Sequence, residues 1–189
     1  MAVWALIGFM GCGKSSIGRT AAKMLGVAFI DLDEEIVRRC GKSIPEIFSA
    51  IGEAGFRAIE RETLAELLSR KGKAQLPSDI LLSLGGGTLT DEGSRELVKK
   101  NCKCIYLRAT VETLAANLRW EGEAASRPML AGADPKASAE SPDSLESRIA
   151  SMMATRGPIY EKAADIILDI DGLDYSDVAR QILNCFSGK

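Results

Sequence analysis

Five short runs of this chain, at residues 3–7, 27–31, 80–84, 104–107 and 166–170, are rich in Val, Ile and Leu and show no polar alternation. A strand with one wet face alternates, whereas an unbroken apolar run is what a parallel strand buried on both faces requires. The stretches between the runs have helical period, and no internal repeat or heptad array is present. Five such strands separated by helices predict an α/β layered fold with a parallel sheet. At 189 residues the chain suits one domain, 1–189, because a chain of this size seldom splits into two cores.

The helix signals are local and specific. Ile17, Ala21, Met24 and Leu25 form one apolar stripe, and Gly26 supplies a stop. Ser43-Ile-Pro-Glu46 has the form of a capping box with Pro45 in the first turn, opening a long helix that ends near Arg70. Further helices are predicted over 34–39, 91–100, 111–119, 144–155, 158–163 and 176–186. Residues 121–143 break the pattern, being rich in Ala, Gly, Ser, Pro and Asp. A surface loop is one account; emergence near the C-terminal edge of the sheet favours a mobile lid over about 120–143, containing Arg127-Pro-Met-Leu130.

Composition removes whole classes of chemistry. The chain has no histidine, so Ser-His-Asp and Cys-His hydrolases, His-ligated metals and a histidine pH switch are excluded, and carboxylates become the first candidate bases. With 24 Lys and Arg against 26 Asp and Glu, and a pI near 5.4, the balance argues against nucleic-acid binding. Five cysteines in a chain able to build its own core suit a reducing cytosol. The apolar start is too short for a membrane span and lacks the flanks of a signal peptide. The expectation is a soluble cytoplasmic protein without membrane or nucleic-acid partners.

Gly8-Phe-Met-Gly-Cys-Gly13-Lys14-Ser15 matches G-x-x-x-x-G-K-[ST] and lies directly after the first strand and before the first amphipathic helix. That context is what the motif requires: the backbone N–H groups of Gly11 through Ser16 turn toward phosphate oxygens, and the helix adds its positive end. Lys14 would bridge the β- and γ-phosphates of a nucleotide, and the Ser15 hydroxyl would help to hold Mg²⁺. The acceptor should lie at the ends of the other strands. The second strand ends in Asp31-Leu-Asp33, whose carboxylates would share a side if the extended conformation persists. One could hold Mg²⁺ through water and the other orient a hydroxyl; ordinary N-capping of the next helix is the competing use. Gly85-Gly86-Gly87 gives a backbone that can approach a ligand closely, or merely a flexible connection. Arg57 stands with Glu60 at i, i+3, and Arg148 and Arg156 would share a face if one helix spanned both. A guanidinium fork suits a small anion, although most arginines are solvated surface residues. Cys102 and Cys104 could suggest a metal, but with no histidine and no second pair they read as strand and turn residues.

The motifs GFMGCGKSS at 8–16, DLDEEI at 31–36, GKSIPEIF at 41–48, GEAGFRAIE at 52–60, LGGGT at 84–88, RPML at 127–130 and RGPIYEKAAD at 156–165 together resemble the shikimate kinases over essentially the whole length. The resemblance implies a five-stranded parallel sheet of the nucleoside-monophosphate-kinase type, with a substrate-binding helical region at about 33–61 and a closing lid. It implies transfer of the ATP γ-phosphoryl group to the 3-hydroxyl of shikimate, with Mg²⁺; the chain itself is expected to be a monomer. By position, Asp33, Arg57, Gly85, Gly86, Gly87 and Arg156 correspond to the shikimate-binding set, and Asp31 to the acid near Mg²⁺. Lys14, Asp33 and Arg127 correspond to the catalytic group, and Gly11, Cys12, Gly13, Lys14, Ser15, Ser16, Arg119 and Arg127 to the nucleotide contacts. Cys12 stands where the family commonly has a smaller residue; a small side chain tolerated in the turn is the favoured account, an alkylatable thiol the other. The segment from Arg127 to Arg156 is longer than in compact members, and 169–174 shows no basic contact for the nucleotide. The alternatives are another small-molecule kinase, for gluconate or a nucleoside monophosphate, or a non-catalytic nucleotide-binding module. A guanine switch would be expected to show an N-K-x-D segment, which the chain lacks.

Overall fold

The computed structural model describes residues 2–69, 79–120, 130, 141 and 144–187. The five strands form where the apolar runs lie: β1 Val3–Ile7, β2 Ala28–Asp31, β3 Ile80–Ser83, β4 Lys103–Arg108 and β5 Ile166–Asp169. They make one sheet in the order β2-β3-β1-β4-β5, and every neighbouring pair is parallel. Connections from β1 therefore leave a strand with partners on both sides, and the loop after it opens into a crevice at the carboxyl edge.

Burial follows position in the sheet. Every residue of β1 and β3 is buried, and so are the middle residues of β4. At the edges the expectation of two covered faces fails: β2 is mostly half-buried, and β5 leaves Ile167 and Asp169 exposed. An edge strand has one neighbour and less helix over it, so its apolar run needs only one dry face. On one face of β1, Trp4 stacks on Phe186 with ring centroids 4.2 Å apart.

Seven α-helices are described: α1 Lys14–Leu25, α2 Leu32–Cys40, α3 Ile44–Leu68, α4 Glu92–Asn101, α5 Val111–Trp120, α6 Leu145–Ala163 and α7 Tyr175–Ser187. The capping box forms as expected, with Ser43 and Glu46 satisfying each other's backbone N–H groups. Two expectations change. The long helix is broken at Gly52, whose φ of 69° and ψ of −178° are non-helical. In a straight helix Phe48 and Phe56 would be roughly 12 Å apart along the axis; the break brings their rings to 4.5 Å. The predicted helices 144–155 and 158–163 are instead one helix, α6, which carries Pro158 inside it. Arg148 and Arg156 thus stand on one helix, as the shared-face reading required. The lid expected over 120–143 falls mostly outside the described residues, although Leu130 is buried in the core. Among the described residues no helix is long and apolar enough to cross a membrane.

Candidate active site

The glycine-rich turn links β1 to α1. Gly13 caps α1 in the left-handed region, at φ 81°, and no side chain caps the helix, so its first-turn N–H groups are left to a ligand. The Lys14 ammonium is folded over the turn and donates to the carbonyls of Gly8 and Phe9 at 2.9 Å each, with the Cys12 sulfur at 3.6 Å. Cys12 is fully buried, so its thiol faces Lys14 and is not presented to reagents. Asn117 of α5 donates from Nδ2 to the Gly11 carbonyl at 2.8 Å.

Asp31 has the capping use, and its second oxygen is engaged by the glycine-rich turn. Its Oδ1 accepts from the N–H groups of Asp33 and Glu34, capping α2, while its Oδ2 accepts from the Ser15 hydroxyl at 2.6 Å. The extended conformation ends at Asp31, so Asp33 lies in the first turn of α2 rather than one pleat further along the strand. Both carboxylates nevertheless line one open cleft of about 550 Å³ with Gly11, Gly13, Lys14, Ser15, Ser16, Gly85 and Gly86.

A second cleft, of about 450 Å³, shares Met10, Asp33, Gly85 and Gly86 with the first and adds Phe48, Phe56, Arg57, Glu60, Gly87 and Arg156. Glu60 is fully buried and serves two partners, Arg57 Nη1 at 2.6 Å and the Thr88 hydroxyl at 2.6 Å. It therefore aims the guanidinium across the i, i+3 spacing. Arg57 Nη2 reaches Glu53 at 3.4 Å, and its buried Nε has no partner among the described residues. Close approach explains Gly87, since a Cβ there would stand 2.0 Å from Arg57 Nη2. Arg156 is 6% exposed and donates from Nη1 to the Gly86 carbonyl at 3.3 Å. The Tyr160 hydroxyl donates to the same oxygen.

Arg119 is held by Glu146 at 2.6 Å and lines neither cleft. Arg127 lies outside the described residues. Spacing alone did not single out Asn117 or Tyr160, and it missed a third cleft of about 610 Å³ between α5 and the β5–α7 turn, lined by Thr113, Asn117, Gly172, Leu173 and Tyr175 among others. The Tyr175 ring lies 2.9 Å from where a Cβ on Gly13 would be, so this cleft abuts the glycine-rich turn. Asp169 is paired with Arg108 at 2.6 Å, which holds its carboxyl below the usual range. No group of three or more Cys, Asp and Glu side chains is placed to hold a metal among the described residues. Cys104 is a buried strand residue, and Cys102 ends α4.

Comparison with known proteins agrees with this architecture. The family model described as "Shikimate kinase" matches residues 10–187. A curated shikimate kinase of Halorhodospira halophila is 36% identical over 97% of this chain and 93% of its own length. One from Chlorobium chlorochromatii is 42% identical over 88% of this chain and 80% of its own length. Among solved structures, shikimate kinase from Acinetobacter baumannii in complex with shikimate superposes with a TM-score of 0.82 at 31% identity, covering 100% of this chain and 94% of that one. The enzyme from Bacteroides thetaiotaomicron gives 0.81 at 29% identity, with 98% of each chain covered. A glycine-rich turn at the carboxyl edge, two adjoining clefts and a match over nearly every residue lead to one conclusion: the chain belongs to the shikimate kinase family.

Proposed function

We propose that this chain transfers the γ-phosphoryl group of ATP to the 3-hydroxyl of shikimate, giving shikimate 3-phosphate and ADP. The observation that carries the reading is the junction of the two clefts. A phosphate-binding turn and a pocket with two largely buried arginines share Asp33, Gly85 and Gly86, so donor and acceptor would meet across these residues. A carboxylated polyol needs such cations and backbone donors rather than a pocket for a base.

In this reading the α1 first turn and Lys14 hold the β- and γ-phosphates, Lys14 exchanging the Gly8 and Phe9 carbonyls for phosphate oxygens. Arg57 and Arg156 take the shikimate carboxylate, and the backbone of Gly85 to Gly87 lies against the ring. Asp33 accepts or aligns the attacking hydroxyl. Most of the rate then comes from positioning and charge neutralisation. Arg127 is proposed as the lid arginine from its sequence position alone. The adenine base is assigned to the third cleft, with Tyr175 and Asn117 as its walls, because that cleft abuts the turn and shares no lining residue with the arginine cleft. Arg119 would reach the base only by leaving Glu146.

The residues present suit Mg²⁺. The Ser15 hydroxyl and the Asp31 carboxylate are hard oxygen donors already in contact at the cleft wall, and Mg²⁺ is usually bound through one or two protein oxygens plus phosphates and water. When bound it would neutralise charge on the transferring phosphoryl group.

A coupled ADP-release assay with shikimate, gluconate, AMP or no acceptor tests the proposal. ADP release that requires shikimate is expected; rapid release with gluconate but not shikimate would overturn it.

A further inference from the structure

We propose that Tyr160 is a positioning residue for the acceptor: its hydroxyl fixes the Gly86–Gly87 peptide so that the Gly87 N–H is presented to shikimate. The inference rests on the reading that shikimate is the acceptor.

Arg156 and Tyr160 are one turn apart on α6, and both are buried. Both donate to the carbonyl of Gly86, 70 and 74 residues away in sequence. The peptide bonds are trans, and in a trans peptide the C=O and the following N–H point in opposite directions. Holding the Gly86 oxygen toward α6 therefore turns the Gly87 N–H away from it. Gly87 lines the arginine cleft, and its N–H has no hydrogen-bond partner among the described residues. The other face of the turn is also fixed, since a Cβ on Gly86 would stand 3.0 Å from the Met10 nitrogen. The peptide is thus clamped between the phosphate-binding turn and α6.

The two donors are not equivalent. Arg156 reaches the carbonyl at 3.3 Å, and in the proposed complex its guanidinium turns to an anionic ligand. Tyr160 carries no charge for an anion to draw away from the carbonyl: its hydroxyl meets the Gly86 oxygen and the Arg156 guanidinium, and its ring is locked against Tyr106 at 5.3 Å between centroids. Burial pushes the Tyr160 hydroxyl well above the ordinary phenol range, so it remains a donor at every working pH. When Arg156 leaves the carbonyl, Tyr160 is the group that keeps the peptide in place.

The test compares wild type with Tyr160→Phe, which keeps the ring, and Tyr160→Met, which keeps only apolar bulk. Steady-state KM for shikimate and for ATP, and kcat, are measured for each. Loss of one hydrogen bond predicts a rise of roughly five- to tenfold in shikimate KM for Tyr160→Phe, with ATP KM and kcat within about twofold of wild type. Tyr160→Met should show at least the same selective loss. Shikimate KM unchanged in Tyr160→Phe, both KM values rising together, or a loss confined to Tyr160→Met would each overturn the proposal by assigning the effect to packing. Wild-type protein that releases no ADP with shikimate would refute the functional reading itself, before Tyr160 is in question.

Discussion

The Ser15 hydroxyl donates to Asp31 Oδ2 at 2.6 Å while the other oxygen of the same carboxylate caps α2. One side chain thus ties the glycine-rich turn to the element that carries Asp33, and its two duties can be separated. Asn caps helices about as well as Asp, so Asp31→Asn should keep stability within about 0.5 kcal/mol, whereas Asp31→Ala should cost about 1 kcal/mol. Both should lose activity, by roughly 10- to 100-fold for Asp31→Asn if the carboxylate supports Mg²⁺. Urea midpoints and Mg²⁺ titrations of kcat read the two effects; full activity in Asp31→Asn would remove Asp31 from the metal site.

Asp33 lies where the two clefts meet. Asp33→Asn should lower kcat by roughly 10²-fold or more while leaving ATP affinity nearly unchanged. Near-normal turnover would refute its assignment to the acceptor hydroxyl.

Two glycines separate steric from backbone requirements. In Gly87→Ala the new Cβ would meet Arg57 Nη2 at 2.0 Å, so the guanidinium must move and shikimate KM should rise about tenfold or more. Gly41 caps α2 at φ 65° with nothing within 4 Å of a Cβ, so Gly41→Ala should cost roughly 1 kcal/mol of stability and no activity. A Gly87→Ala enzyme with wild-type shikimate KM would contradict the close-approach account.

Cys12 is fully buried, whereas Cys40, Cys102 and Cys185 are partly exposed. Under native conditions iodoacetamide should modify those three first, and Cys12 only on opening of the turn. Peptide mass spectrometry resolves the order; early labelling of Cys12 would show that the turn opens readily.

Burial pushes the Tyr106 hydroxyl and the Cys104 thiol each up to about 12. In the unfolded chain such groups ionise near ~10 and ~8.5. Their stabilisation is therefore complete below about pH 8.5 and is lost as pH rises toward 12, because the unfolded state releases its protons first. Urea midpoints should fall across that range, and less steeply in Tyr106→Phe. With no histidine in the chain, no loss from that side chain is expected between pH 6 and 8. An equal slope in Tyr106→Phe would count against the buried phenol as a contributor.

Much of this protein was determined by neighbours in sequence. The turn at Gly8 to Ser15, the Ser43–Glu46 capping box and the Arg57–Glu60 pair depend on contacts within about eight residues, which spacing reports directly, and the strands show as unbroken apolar runs although their ladder partners are distant. Tertiary structure decided the rest. The order β2-β3-β1-β4-β5 brings Gly86 beside Met10 and under Tyr160, over separations that no local pattern encodes. Gly52 bends α3 so that Phe48 and Phe56 form one wall, and Pro158 is absorbed within α6, where a sequence reading divides the helix in two. The physical reason is common to these cases: a glycine, a proline or a tyrosine permits several local outcomes, and packing against a partner distant in sequence selects one of them.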